Sequence, residues 1–322
     1  MADHILTVPG PAPSVAHSGD VALRIINLSK KYGERLAVHD LSLQVRRGEV
    51  FGFLGPNGAG KTTTIRMALG LVAPTTGRVE ILGQDVFAHR AHILPRVGAL
   101  IETPALYLYL SGRNNLRAIG AVLGGVSEQR IDAVLDLVGL HGRHKDRVKT
   151  YSLGMKQRLG VAIALLQDPD VLILDEPANG LDPAGIVEIR DMMHRLSAAG
   201  KTVFISSHLL SEVQQICTRV AIISQGRLVT ESSVAELTQG QGEFRVTLPE
   251  AAQALAVLQN EPWGAGARLD GEHALITGAP EHSGRALNLF LSQAGFVPEL
   301  LERPTRDLEQ VFLQLTHADS GE

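Results

Sequence analysis

A glycine-rich segment that ends in lysine and threonine has the most specific chemistry in this sequence. It follows the apolar run Val50–Leu54 directly. Glycines let such a loop curl until backbone N–H groups and a helix N-terminus point at phosphate oxygens. The lysine then reaches the β- and γ-phosphates of a nucleotide, and the first threonine hydroxyl ligates Mg²⁺. The predicted phosphate-binding residues are Gly55, Pro56, Asn57, Gly58, Ala59, Gly60, Lys61, Thr62 and Thr63.

Two carboxylates follow a second apolar run farther along the chain. Residues 171–174 read Val-Leu-Ile-Leu and lead into Asp175 and Glu176. An apolar run alone would be core, whereas acids at its end suit a nucleotide site that needs a metal-binding carboxylate. We expect Asp175 to help hold Mg²⁺ and Glu176 to polarise the attacking water as a general base. A solvated strand end is the alternative for the pair.

Alternation of short β-branched runs with helical patterns predicts an α/β fold. Strands are expected at Val21–Asn27, Leu36–Val45, Val50–Leu54, Val171–Leu174, Val203–Ser206 and Val220–Ser224, and a helix from about Gly60 to Leu71. Residues from about 103 to 166 have apolar side chains at helical spacing, which predicts a helical insertion.

Three parts of the chain differ in composition. Residues 1–20 have little charge and several Pro and Gly, so they read as a flexible tail and not as a secretion signal. We expect one domain over residues 21–238. After a break at Gln239–Gly242, a small α+β domain is expected over residues 239–322, with helices near Ala251–Gln259, Gly284–Ala294 and Asp307–Thr316.

Composition excludes several classes of protein. A formal net charge of -4 over 322 residues gives no basic footprint for nucleic acid. No run approaches the roughly 18 to 20 apolar residues of a membrane-spanning helix. The one cysteine, Cys217, cannot form an internal disulfide and is expected to be a buried apolar side chain. These features predict a cytoplasmic protein.

Three further motifs, in order along the chain, make the sequence resemble the ABC transporter ATPases over about residues 21–238. They are Tyr151–Arg158 (Tyr-Ser-Leu-Gly-Met-Lys-Gln-Arg), Asn179–Pro183 and Ser206-Ser207-His208, at the places of that family's signature, D-loop and switch histidine. The resemblance implies a P-loop NTPase fold: a RecA-like sheet core, an antiparallel β subdomain and a helical insertion. It also implies ATP as the substrate, with Mg²⁺.

In that family two subunits enclose ATP head to tail, so the resemblance assigns roles across a dimer. Ser152 and Gly154 would cap the γ-phosphate bound by another copy, and Asp182 would couple the two sites. Leu153 and Met155 depart from the family's glycine and glutamine, and Ser152 alone would pass for an ordinary helix N-cap.

Two more residues gain a role from the resemblance. His208 would hydrogen-bond the γ-phosphate and the attacking water as a catalytic residue beside Glu176 and Lys61. Tyr32 would stack on adenine, with a half-buried ring at a strand end as the alternative.

The largest departure is Glu102, where most of the family has a glutamine that contacts the metal and faces the membrane subunit. A carboxylate cannot donate a hydrogen bond and repels phosphate, so a role at the site would run through Mg²⁺, water or a protonated state. Glu102 with the following Pro104, Tyr107 and Tyr109 resembles the ATPases of bacitracin, lantibiotic and related drug exporters. The C-terminal part is similar to extensions on ATPases paired with ABC-2-type permeases.

The resemblance predicts a peripheral ATPase that drives export through a separate permease at the cytoplasmic side of the membrane. A soluble ABC ATPase acting on ribosomes or DNA is the alternative, but it would carry two cassettes, a coiled coil or a basic patch. A nucleotide-binding regulator would not need Glu176. His141 and His144 could suggest a metal site, but a solvated turn is what we expect there, because no further ligand lies near in sequence.

Overall fold

The computed structural model describes residues 21–238, 242–304 and 307–318. The expected tail at 1–20 and most of the break at 239–242 lie outside this range. The strands are β1 (Val21–Tyr32), β2 (Arg35–Arg46), β3 (Val50–Leu54), β4 (Thr76–Ile81), β5 (Gln84–Asp85), β6 (Val97–Leu100), β7 (Val171–Asp175), β8 (Thr202–Ser207), β9 (Arg219–Ser224), β10 (Arg227–Ser233), β11 (Phe244–Thr247), β12 (Arg268–Leu269), β13 (Ala274–Thr277) and β14 (Leu300–Glu302).

The α-helices are α1 (Lys61–Ala68), α2 (Arg90–Ile93), α3 (Gly112–Val122), α4 (Glu128–Leu137), α5 (Leu153–Ala164), α6 (Pro183–Ala198), α7 (Leu210–Ile216), α8 (Val234–Thr238), α9 (Ala251–Leu258), α10 (Gly284–Gln293) and α11 (Leu308–Ala318). Short 3₁₀ turns cover Leu94–Arg96, His141–Arg143, Val148–Thr150 and Pro280–His282. The six expected strands and the expected helices of both parts are confirmed, with ends shifted by a few residues.

A six-stranded sheet in the order β10-β9-β3-β8-β7-β6 forms the centre, and all its pairs are parallel except β10 with β9. Strands β3 and β7 are buried at every residue, as expected of parallel strands covered on both faces. Alternate residues serve two cores: Phe51 and Phe53 of β3 pack on one face, and Val50 and Leu54 on the other. The prediction of central strands from these apolar runs is therefore confirmed.

The first face of the central sheet is covered by an antiparallel sheet in the order β2-β1-β4-β5. The opposite face is covered by helices, including α4, α5 and α6. The apolar pattern expected in the helical insertion holds for α4, whose Ile131, Val134 and Leu135 are buried. In α3, Leu116 is buried but Val122 is 83% exposed, so that run is only half core.

A third sheet, in the order β12-β13-β11-β14, has its own apolar core after residue 242. Leu308, at the start of helix α11, lies in the cluster on the helical face of the central sheet and not in that third core. The backbone N–H of Leu308 also donates to Gln214 Oε1 at 3.0 Å, on α7. The last helix thus ties the C-terminal part to α7, while the division at 239 stays a prediction.

Cys217 is buried at 7% exposure, as expected, and burial raises the pKa of its thiol well above the usual range. It is therefore a packing residue. Among the described residues, no helix combines the length and apolar content needed to cross a bilayer.

A buried arginine joins three helices of the helical face. Arg158 on α5 donates from Nη1 to the carbonyls of Val138 and Gly139, at 3.1 and 3.0 Å, at the C-terminal end of α4. Its Nη2 lies 2.9 Å from Glu188 Oε2 on α6. Burial lowers the pKa of Arg158, and the Glu188 charge opposes that shift. A cation suits the free carbonyls at a helix C-terminus.

Replacing Arg158 with Met should lower the free energy of unfolding by about 3 kcal/mol, because buried carbonyls then lose a charged donor. Urea denaturation followed by circular dichroism measures this change. Arg96→Met is the matched control, since Arg96 makes a half-exposed pair with Asp170 at 2.7 Å and such pairs contribute less than about 1 kcal/mol. Equal losses in the two variants would contradict the assignment.

Candidate functional site

The carboxyl ends of three neighbouring parallel strands lie at one edge of the central sheet. In register, Phe53 of β3 pairs with Ser206 of β8, and Ser206 pairs with Asp175 of β7. The segments that follow these strands carry the glycine-rich loop, Glu176 and His208. Strand pairing therefore brings together residues that are far apart in sequence, as ligand sites in open α/β sheets require.

The glycine-rich loop has backbone geometry that only glycine meets at two positions. A Cβ on Gly55 would lie 2.5 Å from the Ile223 carbonyl oxygen, and one on Gly60 would lie 2.6 Å from the Ala37 carbonyl oxygen. Gly60 also has φ +104°, in the left-handed region, and it precedes the first residue of α1. The loop is thus held between β9 and β2 and leads straight into a helix N-terminus.

Lys61 is buried at the base of this loop. Its ammonium donates to the carbonyl oxygens of Gly55, at 2.7 Å, and Pro56, at 3.4 Å. The same Nζ lies 3.3 Å from Glu176 Oε1. The lysine charge is therefore shared between the loop and the acid that follows β7.

Asp175 is only 3% exposed, and hydroxyls satisfy both of its carboxylate oxygens. Thr62 Oγ1 donates to Oδ2 at 2.9 Å, and the Ser206 hydroxyl donates to Oδ1. None of the ion pairs within the described ranges joins a cation to this acid. A carboxylate and a hydroxyl form the hard oxygen donor set that Mg²⁺ prefers, with phosphate and water as its other ligands. Asp175 and Thr62 thus fit a magnesium ion.

Glu176 sits between a lysine and a histidine. Besides Lys61, its carboxylate contacts His208, with Oε2 2.7 Å from Nδ1. Glu176 has φ +51°, a left-handed conformation that is unusual for glutamate. Residues in such conformations cluster at functional sites. Glu176 thus contacts both Lys61 and His208, so the three expected catalytic residues lie together.

A cleft of about 460 Å³ opens beside the loop, a size common for small-molecule sites. Residues from the loop and α1 line it together with Glu176 and Tyr32, whose ring is 48% exposed. Arg35 and Ala37, which sequence reasoning missed, also line it. Arg35 pairs with Tyr32 across the β1–β2 hairpin. A basic residue three positions after the aromatic residue is therefore the feature of the sequence that could have placed Arg35 at the cleft.

Ser152, Gly154 and Asp182 lie together but do not line the cleft. Ser152 caps α5 by accepting from Met155 N–H at 3.2 Å, and Asp182 caps α6 by accepting from Gly185 N–H at 3.1 Å. A Cβ on Gly154 would meet the Gly185 Cα at 3.7 Å, which shows how close the two helix starts are. Within one chain, the signature residues and the phosphate loop therefore form two separate groups.

Glu102 is not among the residues that line the cleft. Its Oε1 accepts from Arg66 Nη2 at 2.6 Å, and both side chains are largely exposed. Arg66 lies in the last turn of α1, and Glu102 has φ +59° just after β6. Arg66 thus holds Glu102 in this conformation, and the metal contact of Glu102 stays a prediction. His141 and His144 approach each other, but no group of three or more metal-ligating His, Cys, Asp or Glu occurs within the described part of the chain.

Comparison with known proteins agrees with this arrangement. Residues 38–179 match the family model described as ABC transporter. The uncharacterised ABC transporter ATP-binding protein YhcH of Bacillus subtilis (strain 168) is 50% identical over 72% of this chain and 78% of the relative. The bacitracin transport ATP-binding protein BcrA of Bacillus licheniformis is 48% identical over 65% and 69%. The lantibiotic transport ATP-binding protein SrtF of Streptococcus pyogenes is 43% identical over 65% and 90%.

Solved structures show the same fold. An ATP-binding subunit of an ABC transporter superposes with a TM-score of 0.59 at 30% identity, over 67% of this chain and 91% of the other. The cbiO1 protein from Clostridium perfringens, part of the cbiONQ ABC transporter complex, gives 0.63 at 28% identity, over 68% and 90%. With the phosphate loop, the paired acids and the histidine at one sheet edge, these relatives establish that the chain belongs to the ABC transporter family, as an ATP-binding and ATP-hydrolysing subunit.

Proposed function

We propose that this ATPase drives export of a peptide antibiotic, drug or lipid-like substrate through a separate membrane permease of the ABC-2 type. The observation that supports the proposal is the cluster of Lys61, Glu176 and His208 beside Asp175, in a chain close in sequence to bacitracin and lantibiotic transport ATPases. The protein would lie at the cytoplasmic face of the membrane, held there by the permease.

The cleft supports a specific pose for ATP. Adenine would stack on the exposed Tyr32 ring, and the chain of phosphates would follow the loop amides from Gly58 to Thr63. Arg35, opposite Tyr32, would add a positive charge near the ribose or the phosphates. Lys61 would then exchange its contact with Glu176 for the β- and γ-phosphate oxygens.

Thr62 and Asp175 would hold Mg²⁺, which supplies charge neutralisation on the phosphates when bound. Glu176 would accept a proton from the attacking water at its carboxylate, once Lys61 is engaged by phosphate. His208, already 2.7 Å from Glu176 Oε2, would orient that carboxylate and the water. Glu102 would reach the metal site only after its ion pair with Arg66 breaks. We therefore propose that Glu102 belongs to the surface that faces the permease.

Ser152, Gly154 and Asp182 would act on the ATP of a second copy. Ser152 is exposed and Gly154 lies in the first turn of α5, where a helix N-terminus favours an anion. Because these residues are separate from the chain's own cleft, a head-to-tail dimer is the arrangement that uses both groups. An ATPase that acts on ribosomes or DNA is not favoured, since the named relatives are transport subunits.

Replacing Glu176 with Gln should retain ATP binding and lower the turnover number by at least about 100-fold, because the general base is lost. A phosphate-release assay measures turnover, and light scattering after gel filtration with ATP should show a stable dimer. Glu34→Gln, an exposed glutamate at the tip of the β1–β2 hairpin, is the control and should match wild type. Near-normal turnover in the Glu176 variant would contradict the assigned base.

The partner is tested by purifying the chain from solubilised membranes and identifying what accompanies it. A polytopic permease is expected, and ribosomal proteins would favour the soluble alternative instead. When expressed with that permease, wild type but not Glu176→Gln should raise the bacitracin or lantibiotic concentration that stops growth. Equal resistance with both would show that ATP hydrolysis does not drive export.

A further inference from the structure

We propose that Ser206 is a positioning residue for ATP hydrolysis, whose one hydroxyl fixes both the metal-binding acid and the general base. This inference rests on the proposed roles of Asp175 and Glu176. Ser206 lies on β8 with 0% exposure, directly opposite Asp175 in the parallel register. It contributes no group to the cleft, and its effect would pass through its two partners.

The Ser206 hydroxyl makes a hydrogen bond on each side. It donates to Asp175 Oδ1 and accepts the backbone N–H of Glu176, with a nitrogen–oxygen distance of 3.0 Å. The same N–H lies 3.2 Å from the Ser206 carbonyl oxygen. A serine hydroxyl has one proton to donate and two lone pairs to accept with, so both bonds form at once.

The hydrogen bond from Ser206 to Asp175 would affect the proposed metal site. Thr62 holds the other oxygen of that carboxylate, so Ser206 and Thr62 together fix its rotation. A donor to a ligating carboxylate stabilises its ionised form and keeps it aimed at the metal. Loss of such a second partner commonly lowers metal affinity or activity 10- to 100-fold, roughly.

The hydrogen bond between Ser206 and the backbone of Glu176 would affect the proposed general base. The left-handed φ of +51° at Glu176 turns its side chain from the strand direction toward Lys61 and His208. Such a conformation persists only where the surroundings impose it. The hydroxyl and carbonyl of Ser206 hold the N–H of this residue in place, and so they help to set the direction of the carboxylate.

Ser206 also links these acids to the switch histidine, which follows two residues later on the same strand end. The intervening Ser207 has a different task, because its Oγ accepts the N–H of Leu209 at 2.9 Å in the turn to α7. The two adjacent serines therefore have different roles: Ser206 bonds to the two acids, and Ser207 stabilises the turn.

The test compares Ser206→Ala with Ser224→Ala, a buried serine at the end of β9, which β3 separates from β8. Two quantities are measured for each variant. The first is the turnover number. The second is the gain in ATP affinity when Mg²⁺ replaces EDTA, which is measured by fluorescence titration after the variant is combined with Glu176→Gln. Ser206→Ala should lose about tenfold in turnover and about tenfold in the Mg²⁺-dependent gain, while its ATP affinity in EDTA stays within about twofold. Ser224→Ala should change none of these.

Ser206→Cys keeps the side-chain size with a weak donor and should fall between alanine and wild type. Thermal unfolding without nucleotide checks that the variants are folded. Normal turnover and a normal Mg²⁺-dependent gain in Ser206→Ala would overturn the inference while leaving the transporter function intact. If wild type itself neither bound nor hydrolysed ATP, the proposed function would fail instead.

Discussion

The parallel register of β3, β7 and β8 is the constraint on which the rest of the site depends. It ends the three strands at one level, so that the phosphate loop, the two acids and the switch histidine emerge side by side. The burial of these strands on both faces fixes the register, because a slip by one residue would exchange the side chains of the two cores. The apolar side chains thus do more than stabilise the fold: they set distances of about 3 Å between the proposed catalytic groups.

The charged and polar groups of the site satisfy one another. Lys61 and His208 flank Glu176, and Thr62 and Ser206 satisfy Asp175. A buried acid and a buried ammonium would each be costly if unpartnered, so these contacts stabilise the site. In the proposed mechanism, phosphate displaces Glu176 from Lys61, so that arrival of the substrate releases the proposed base.

Much of this could be predicted from the sequence, for a physical reason. The loop, the acids and the histidine each need specific atom types in a fixed local context, and buried parallel strands leave continuous apolar runs. Contacts between distant exposed residues leave no such trace, which is why the pairing of Glu102 with Arg66 was not foreseen. Ser206 was missed because a serine before the histidine looks ordinary until strand pairing places it against Asp175. The packing of the start of α11 against α7 was not predicted, because the apolar pattern of a helix does not indicate which core its side chains join.

Because the cleft and the group of Ser152, Gly154 and Asp182 are separate within one chain, we propose that each chain holds half of two sites. The most direct test mixes two inactive variants, Lys61→Ala and Gly154→Asp, and measures ATPase activity. In a head-to-tail dimer, only the mixed dimer has one intact loop facing one intact signature, so an equal mixture should recover about a quarter of the wild-type activity. A mixture that remains as inactive as its components would contradict the account.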